Sequence, residues 1–218
     1  MKHIRKGAQP PELAAWKRSI RPKGSIPAWN LPNPPRNTIR DLLTFEQLQL
    51  CCYCCGTIAN GNFHIEHFCP RDGYEELTYT WKNLLASCQG GGDHMIDTRR
   101  HCGSAKDNWY VNDVTVDPRS AQVTRLFRFP FTGKIFPSKY LDPDTYAAVL
   151  LTIEKLNLCA PSLVSRRAAL LEQANSHSLA MDRPMWLARY LNVHNRKLQE
   201  FWPALNYNYK LHWSGNFR

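Results

Sequence analysis

Hydrophobic positions along this chain change their spacing more than once, and the changes divide it into three regions. From Thr38 to Leu50, Ile39, Leu42, Leu43, Phe45 and Leu48 recur three or four residues apart, which predicts a helix capped by Thr38. Thr44 with Gln47 also fits a capping box, so the same stretch admits two shorter helices. Ile58 to Phe68 then reads as strand, with a turn at Gly61-Asn62. Two further alternating runs follow. Asn108 to Pro118 contains VNDVTVDP, and Val123 to Phe129 places Val123, Arg125, Phe127 and Phe129 on one face before a turn at Thr132-Gly133 leads into Lys134–Phe136. From Asp142 the period becomes helical. Pro143 opens a helix whose stripe is Tyr146, Val149, Leu150, Ile153 and Leu156, and Asn157 and Pro161 end it. Leu163 to Asn175 predicts a second helix and Arg183 to Leu205 a third.

Before all of this lies a proline-rich leader, QPPEL and RPKGSIPAWNLPNPP, which predicts an extended arm with a short helix over Glu12–Ile20. Trp16 and Trp29 argue that the arm is docked, because large aromatics are usually buried. The expected organisation is therefore an arm over residues 1–38, a core over 39–110, and a strand hairpin with a helical region over 111–218. The fold class expected is α+β.

Composition narrows the function classes. At 218 residues and 43% hydrophobic, the chain is long enough to bury a real core. It has no run of eighteen apolar residues, and MKHIRKGAQPPEL is basic without an apolar stretch behind it, so neither a membrane span nor a secretory signal is expected, and a bacterial cytoplasmic location is. The formal net charge of +10 suits a polyanionic partner. Eight cysteines are many for such a chain. Most of them cluster between Cys51 and Cys102, and clustered Cys-x-x-Cys reads as metal binding rather than as a disulfide scaffold.

The chemistry concentrates between Leu50 and Lys106. Tetrahedral zinc needs four soft ligands, and CCYCC offers two overlapping pairs, Cys51/Cys54 and Cys52/Cys55, between which spacing does not choose. Cys88 and Cys102 are the other half, with QGGGDHMIDTRRH inserted between them, and Cys69 is a spare that reads as a small buried hydrophobe. Such a zinc is structural, closed by four sulfurs. HIEH supplies a histidine, His67, suited to general-base work near neutral pH, beside a carboxylate, Glu66, that can hold a hard divalent ion. On a strand, His64 and Glu66 face one way and Ile65 and His67 the other. Asn83, in TWKNLLASC, has an amide that can tie a loop to the histidine and fix its ring. Arg99, Arg100 and Lys106 stand in or beside these motifs and are candidates for phosphate contact, whereas Arg166 and Arg167 read as a solvated helix face.

These motifs resemble the HNH endonuclease family, which has a ββα-metal fold, and within it the PtuB-type branch found beside retrons and in Septu antiphage systems. The resemblance rests on Leu50-Cys51-Cys52-Tyr53-Cys54, on His64-Ile65-Glu66-His67-Phe68-Cys69-Pro70, on Asn83-Leu84-Leu85-Ala86-Ser87-Cys88, and on His101-Cys102-Gly103-Ser104-Ala105-Lys106. Outside the centre it extends to Lys2-His3-Ile4, Pro10-Pro11-Glu12-Leu13, Asp117-Pro118, Phe127-Arg128-Phe129 and Leu156-Asn157-Leu158. Tyr53 in that pattern favours Cys51/Cys54 as the zinc pair.

The resemblance implies His67 as general base, Asn83 as its orienting residue and Glu66 as ligand to a catalytic Mg2+ or Mn2+. HNH sites usually draw a second ligand from the helix after the last cysteine, where this chain has Gly103 and Ser104. His101 is the candidate substitute, with Asn108 another. The resemblance also implies partners: nucleic acid, with DNA as the default and tRNA or another RNA as the alternative; an ABC-type ATPase, PtuA; and a retron reverse transcriptase with its msDNA. The proline-rich arm is a candidate for the ATPase contact. The rival expectation is a non-catalytic zinc module that binds nucleic acid or a protein. It accounts for the cysteines and the charge but not for Glu66-His67 followed by Asn83.

Overall fold

A computed structural model describes residues 1–20, 34–91 and 99–213. Trp29 and residues 92–98 of the insertion lie outside the described residues. The fold is α+β, with two small antiparallel strand pairs and a helical C-terminal part. One buried core cluster draws on residues from Met1 to Leu205, and a smaller one joins Leu50, Cys55 and Leu198.

The N-terminal stretch is docked, as Trp16 suggested. Met1, Ile4 and Leu13 are buried, and the Ile4 amide donates to the Pro118 carbonyl. Helix α1 (Pro11–Ile20) covers the short helix expected there. Trp16 meets Tyr79 edge-on at 4.5 Å. Glu46 clamps this stretch: one oxygen accepts from the Gly7 amide and Trp81 Nε1, the other from Lys6 Nζ, and that ammonium also lies 3.8 Å over the Trp81 ring.

Helix α2 (Arg36–Glu46) runs unbroken and starts earlier than Thr38, after Pro35, with no side-chain cap. Thr38 therefore lies inside the helix and is not its cap. Nor does Gln47 form a capping box. Its amide is buried and bridges the Leu50 and Ala86 carbonyls and the Ala86 amide, tying the cysteine loop to the strand behind it.

Strands β1 (Phe63–His67) and β2 (Leu84–Cys88) pair antiparallel, with His64 opposite Ser87 and Glu66 opposite Leu85. Gly61, at φ +75, makes the turn into β1 that Gly61-Asn62 predicted. The short helix α3 (Gly103–Lys106) follows, completing a strand–strand–helix order around the motifs.

The expected strand over Asn108–Pro118 is absent; that stretch is a series of turns. Two of its amides find side-chain acceptors, one within the stretch and one on the later helix over Pro143–Lys155. Thr115 Oγ1 accepts from the Val111 amide, and Thr152 Oγ1 from the Val116 amide, so side chains take the place of a partner strand. The second pair, β3 (Phe127–Arg128) with β4 (Phe136–Pro137), is shorter than the alternating run suggested, because Val123–Arg125 forms a helical turn. At its tip Gly133 has φ +76, and a Cβ there would stand 2.1 Å from the Val164 carbonyl.

Helix α4 (Pro143–Lys155) is capped by Asp142, whose carboxylate accepts from the Thr145 amide. Val149, Ile153 and Leu156 of the expected stripe are buried, but Tyr146 and Leu150 are partly exposed and Thr152 is buried instead. Helix α5 (Pro161–Ala180) is longer than the predicted Leu163–Asn175. The single third helix expected over Arg183–Leu205 is two: α6 (Arg183–Tyr190) and α7 (Trp202–Trp213). Pro203 fits the start of α7, since proline is tolerated in a first turn and not in a helix interior. Between them Asn195, Arg196 and Phe201 adopt positive φ. Among the described residues no helix is long and apolar enough to cross a membrane.

Candidate metal centre and active site

The cysteine loop closes through an isolated bridge between Leu50 and Thr57, with the Cys51 amide on the Gly56 carbonyl and the Cys55 amide on the Cys51 carbonyl. This turn points Cys51 and Cys54 together. Cys88 arrives at the end of β2 and Cys102 just before α3. The Sγ atoms of Cys51, Cys54, Cys88 and Cys102 all lie within 4.8 Å of one another. Cys54 and Cys88 are 3.9 Å apart, close to the edge of a zinc tetrathiolate, which is about 3.8 Å for Zn–S of about 2.3 Å. The donor set therefore fits structural zinc. Backbone amides support two of the sulfurs: Gly56 N donates to Cys54 Sγ and Cys88 N to Cys51 Sγ, each at 3.3 Å.

The thiols show why a dication belongs there. Burial alone would push the Cys51 thiol up, but hydrogen bonds from Cys102 and its neighbours hold it well below its ordinary value. Burial and the same neighbours push Cys102 well above. Four thiolates this close and this buried need a cation to offset their charge. Arg167, wholly buried rather than solvated as expected, lies near enough to this cluster to feel its charge and donates to the Gly133 and Leu158 carbonyls. The C-terminal region also places the last ligand: the Cys102 amide donates to the Leu156 carbonyl, and Asn157 Nδ2 to the Arg100 carbonyl at 2.8 Å. Cys52, Cys55 and Cys69 are buried outside the cluster.

Next to this centre, β1 carries the proposed reaction chemistry. His67 is buried, and its Nε2 is 3.0 Å from the Thr78 carbonyl. A carbonyl only accepts, so Nε2 carries the proton and the neutral ring has its lone pair on Nδ1. Burial lowers the imidazole to about 4, against a smaller opposing effect of the Thr78 bond, so the ring is neutral at pH 7. Asn83 is buried and does not bond to the ring. Its Oδ1 accepts from the Cys69 amide at 2.8 Å, and its Nδ2 donates to the Cys69 carbonyl at 2.9 Å and the Leu77 carbonyl at 3.3 Å. It thus pins both ends of the loop whose next carbonyl, that of Thr78, holds His67.

Glu66 is buried with both oxygens engaged. Oε1 accepts from Tyr53 Oη at 3.0 Å and pairs with Lys106 Nζ at 3.1 Å; Oε2 is 3.2 Å from His64 Nε2. Burial would raise the carboxyl, but the His64 bond and the Lys106 charge outweigh it and hold Glu66 below the usual carboxylate range. His64, Glu66, His67, Arg71, Gly103 and Asn108 line one open cavity of about 460 Å³.

Several expected site residues stand elsewhere. His101, the expected second ligand beside Glu66, turns Nδ1 to the sulfurs, 3.2 Å from Cys102 and 3.8 Å from Cys88. Lys106, expected on phosphate, is buried, and its ammonium binds Glu66 and the His67 carbonyl. Asn108 does line the cavity, with its amide donating to Asp72. Arg99 is exposed and Arg100 half-buried; neither lines the cavity. His64 lines it on the strand face shared with Glu66, as the alternation of HIEH implies, whereas Arg71, which also lines it, carries no motif signal beyond adjacency to Pro70.

No family model matches this chain. Among curated proteins it is similar to one from Vibrio cholerae serotype O1 biovar El Tor named "Retron Vc95 putative HNH endonuclease", at 25% identity over 143 residues. That similarity takes in 63% of this chain and 65% of the relative, so the chain spans somewhat less than two thirds of the relative's length.

Proposed function

We propose that this chain is a metal-dependent HNH endonuclease that hydrolyses phosphodiester bonds, the nuclease effector of a retron or Septu-type antiphage system. The observation that carries the reading is the junction of β1 with its cavity: Glu66 and a tautomer-fixed His67, adjacent in sequence, both line it, beside a four-sulfur frame. The relative named "Retron Vc95 putative HNH endonuclease" supports the same class.

His67 Nδ1 takes a proton from water, and the hydroxide attacks phosphorus as the bond to the leaving oxygen breaks; that oxygen is protonated from solvent. Asn83 is a positioning residue that acts through the 69–78 loop. His64 and Lys106 hold Glu66 ionised, and the Tyr53 hydroxyl helps aim it. Glu66 would hold a divalent ion, Mg2+ or Mn2+, which would supply charge stabilisation for the displacement. Arg71 adds positive potential at the cavity for the nucleic acid, DNA by default or tRNA in a defence setting. An ABC-type ATPase of the PtuA kind is the proposed controlling partner, with a retron reverse transcriptase and its msDNA as a further one.

One observation favours a second reading, the non-catalytic zinc module: Glu66 already has a partner on each oxygen, as a purely structural carboxylate would. The two separate on cleavage of plasmid DNA and total tRNA by wild type and His67→Ala, with and without the ATPase, in Mg2+ or Mn2+. Cutting by wild type alone supports the nuclease. Equal behaviour of both proteins supports the module.

A further inference from the structure

A single carboxylate is too little to hold a divalent ion, since hard cations gather several ligands. Oε1 of Glu66 is taken by Tyr53 and Lys106, which leaves Oε2. Facing Oε2 at 3.2 Å is His64 Nε2, two residues earlier on the same face of β1. Two donors each about 2.1 Å from one octahedral ion, at right angles, stand about 3 Å apart, so the pair already has ligand spacing.

Gly103 supplies a second, independent observation. A Cβ at this position would stand 2.4 Å from Glu66 Oε2 and 2.4 Å from His64 Nε2. That is far inside van der Waals contact for carbon but close to a metal–ligand distance. Its backbone is not in the left-handed region, so conformation does not call for glycine here; space does. The bare position opens the two donors to the cavity, which has room for water and a phosphate. It also occupies the place from which a helix side chain would otherwise offer a ligand.

We propose that His64 Nε2 and Glu66 Oε2 jointly bind the divalent ion beside Gly103, and that the imidazole makes the site select Mn2+ or another first-row transition ion over Mg2+. Nitrogen ligands favour such ions, whereas magnesium prefers oxygen. The inference rests on the nuclease reading only for what the ion does once bound.

Mn2+ and Mg2+ binding to the zinc-loaded full chain by calorimetry, with Mn2+ confirmed by loss of its free-ion paramagnetic resonance signal, tests it without any substrate. Wild type is expected to bind one Mn2+ at least about 10-fold more tightly than Mg2+. His64→Ala should weaken Mn2+ by about 10- to 100-fold, leaving zinc content and thermal midpoint in place. His64→Asp, an all-oxygen site, should narrow the preference toward Mg2+. Gly103→Ala should also lose Mn2+, and the two His64 variants carry the test if it does not fold. Equal Mn2+ affinity in wild type and His64→Ala overturns the proposal, as does a wild type that binds no Mn2+ at about 1 mM. Binding that depends on His64 in a protein that cuts nothing would sink the nuclease reading and leave this site standing. Undiminished Mg2+-dependent cutting by His64→Ala would do the reverse.

Discussion

Asn83 offers the sharpest test of how the proposed site is held. Replacing it with alanine removes an acceptor for the Cys69 amide and a donor to the Cys69 and Leu77 carbonyls. Each such bond is worth about 1 kcal/mol when made, and a buried backbone group left without its partner costs about 1–3 kcal/mol. Two groups, the amide and carbonyl of Cys69, are orphaned in a region where Asn83 itself is only 3% exposed. The expected loss is therefore about 3–5 kcal/mol, a large part of the stability of an ordinary domain. Urea unfolding of the zinc-loaded protein by tryptophan fluorescence measures it, with the exposed Asn112→Ala as a control expected within about 0.5 kcal/mol of wild type. Asn83→Asp should fare no better, because it keeps the bond from the Cys69 amide but turns an anion toward two carbonyls. A loss below about 1 kcal/mol for Asn83→Ala would refute the idea that this side chain fixes the loop, and with it the account of how His67 is oriented.

Two further outcomes follow from the same geometry. Elemental analysis should find one zinc per chain, lost in Cys51→Ser or Cys102→Ser and kept in Cys52→Ser and Cys55→Ser, since only the first two belong to the four-sulfur cluster. The His67 imidazole titrates at about 4 in the folded chain, below its ordinary 6.5, so the unfolded chain takes up the proton first as pH falls. Stability is then complete above pH 6.5 and falls by about 3 kcal/mol as pH drops through that window; His67→Gln, unfolded in urea at pH 7 and pH 4.5, should fall less than wild type by about 2–3 kcal/mol.

Much of this molecule was legible in its sequence, and the failures have identifiable causes. Cys51, Cys54, Cys88 and Cys102 meet as the motif resemblance implied, although spacing alone left CCYCC undecided. Helices with a proline or aspartate at the start, such as α4, were found because local chemistry specifies them. The strand over Asn108–Pro118 was a false expectation because alternation does not reveal whether a partner strand exists; threonine hydroxyls met its amides instead. Lys106 reads in sequence as a phosphate contact and Arg167 as a solvated cation, because the motif does not reveal their buried partners, Glu66 in one case and the Gly133 and Leu158 carbonyls in the other. His101 was placed beside Glu66 by proximity in the motif, but a one-residue step from Cys102 keeps it at the sulfurs. Gln47 fits a capping box with Thr44 in sequence and yet bridges a loop to a strand, because its spacing from Thr44 shows nothing of the distant Ala86 backbone it meets.

The central claim is that His67 activates water against a phosphodiester. Cleavage by wild type and His67→Ala in 18O-labelled water, with the products analysed by mass spectrometry, addresses it most directly. Wild type should give labelled oxygen in the newly formed terminal phosphate, and His67→Ala no comparable product. Unlabelled phosphate or a cyclic 2′,3′-phosphate from RNA, or cutting at the wild-type rate by His67→Ala, would contradict it.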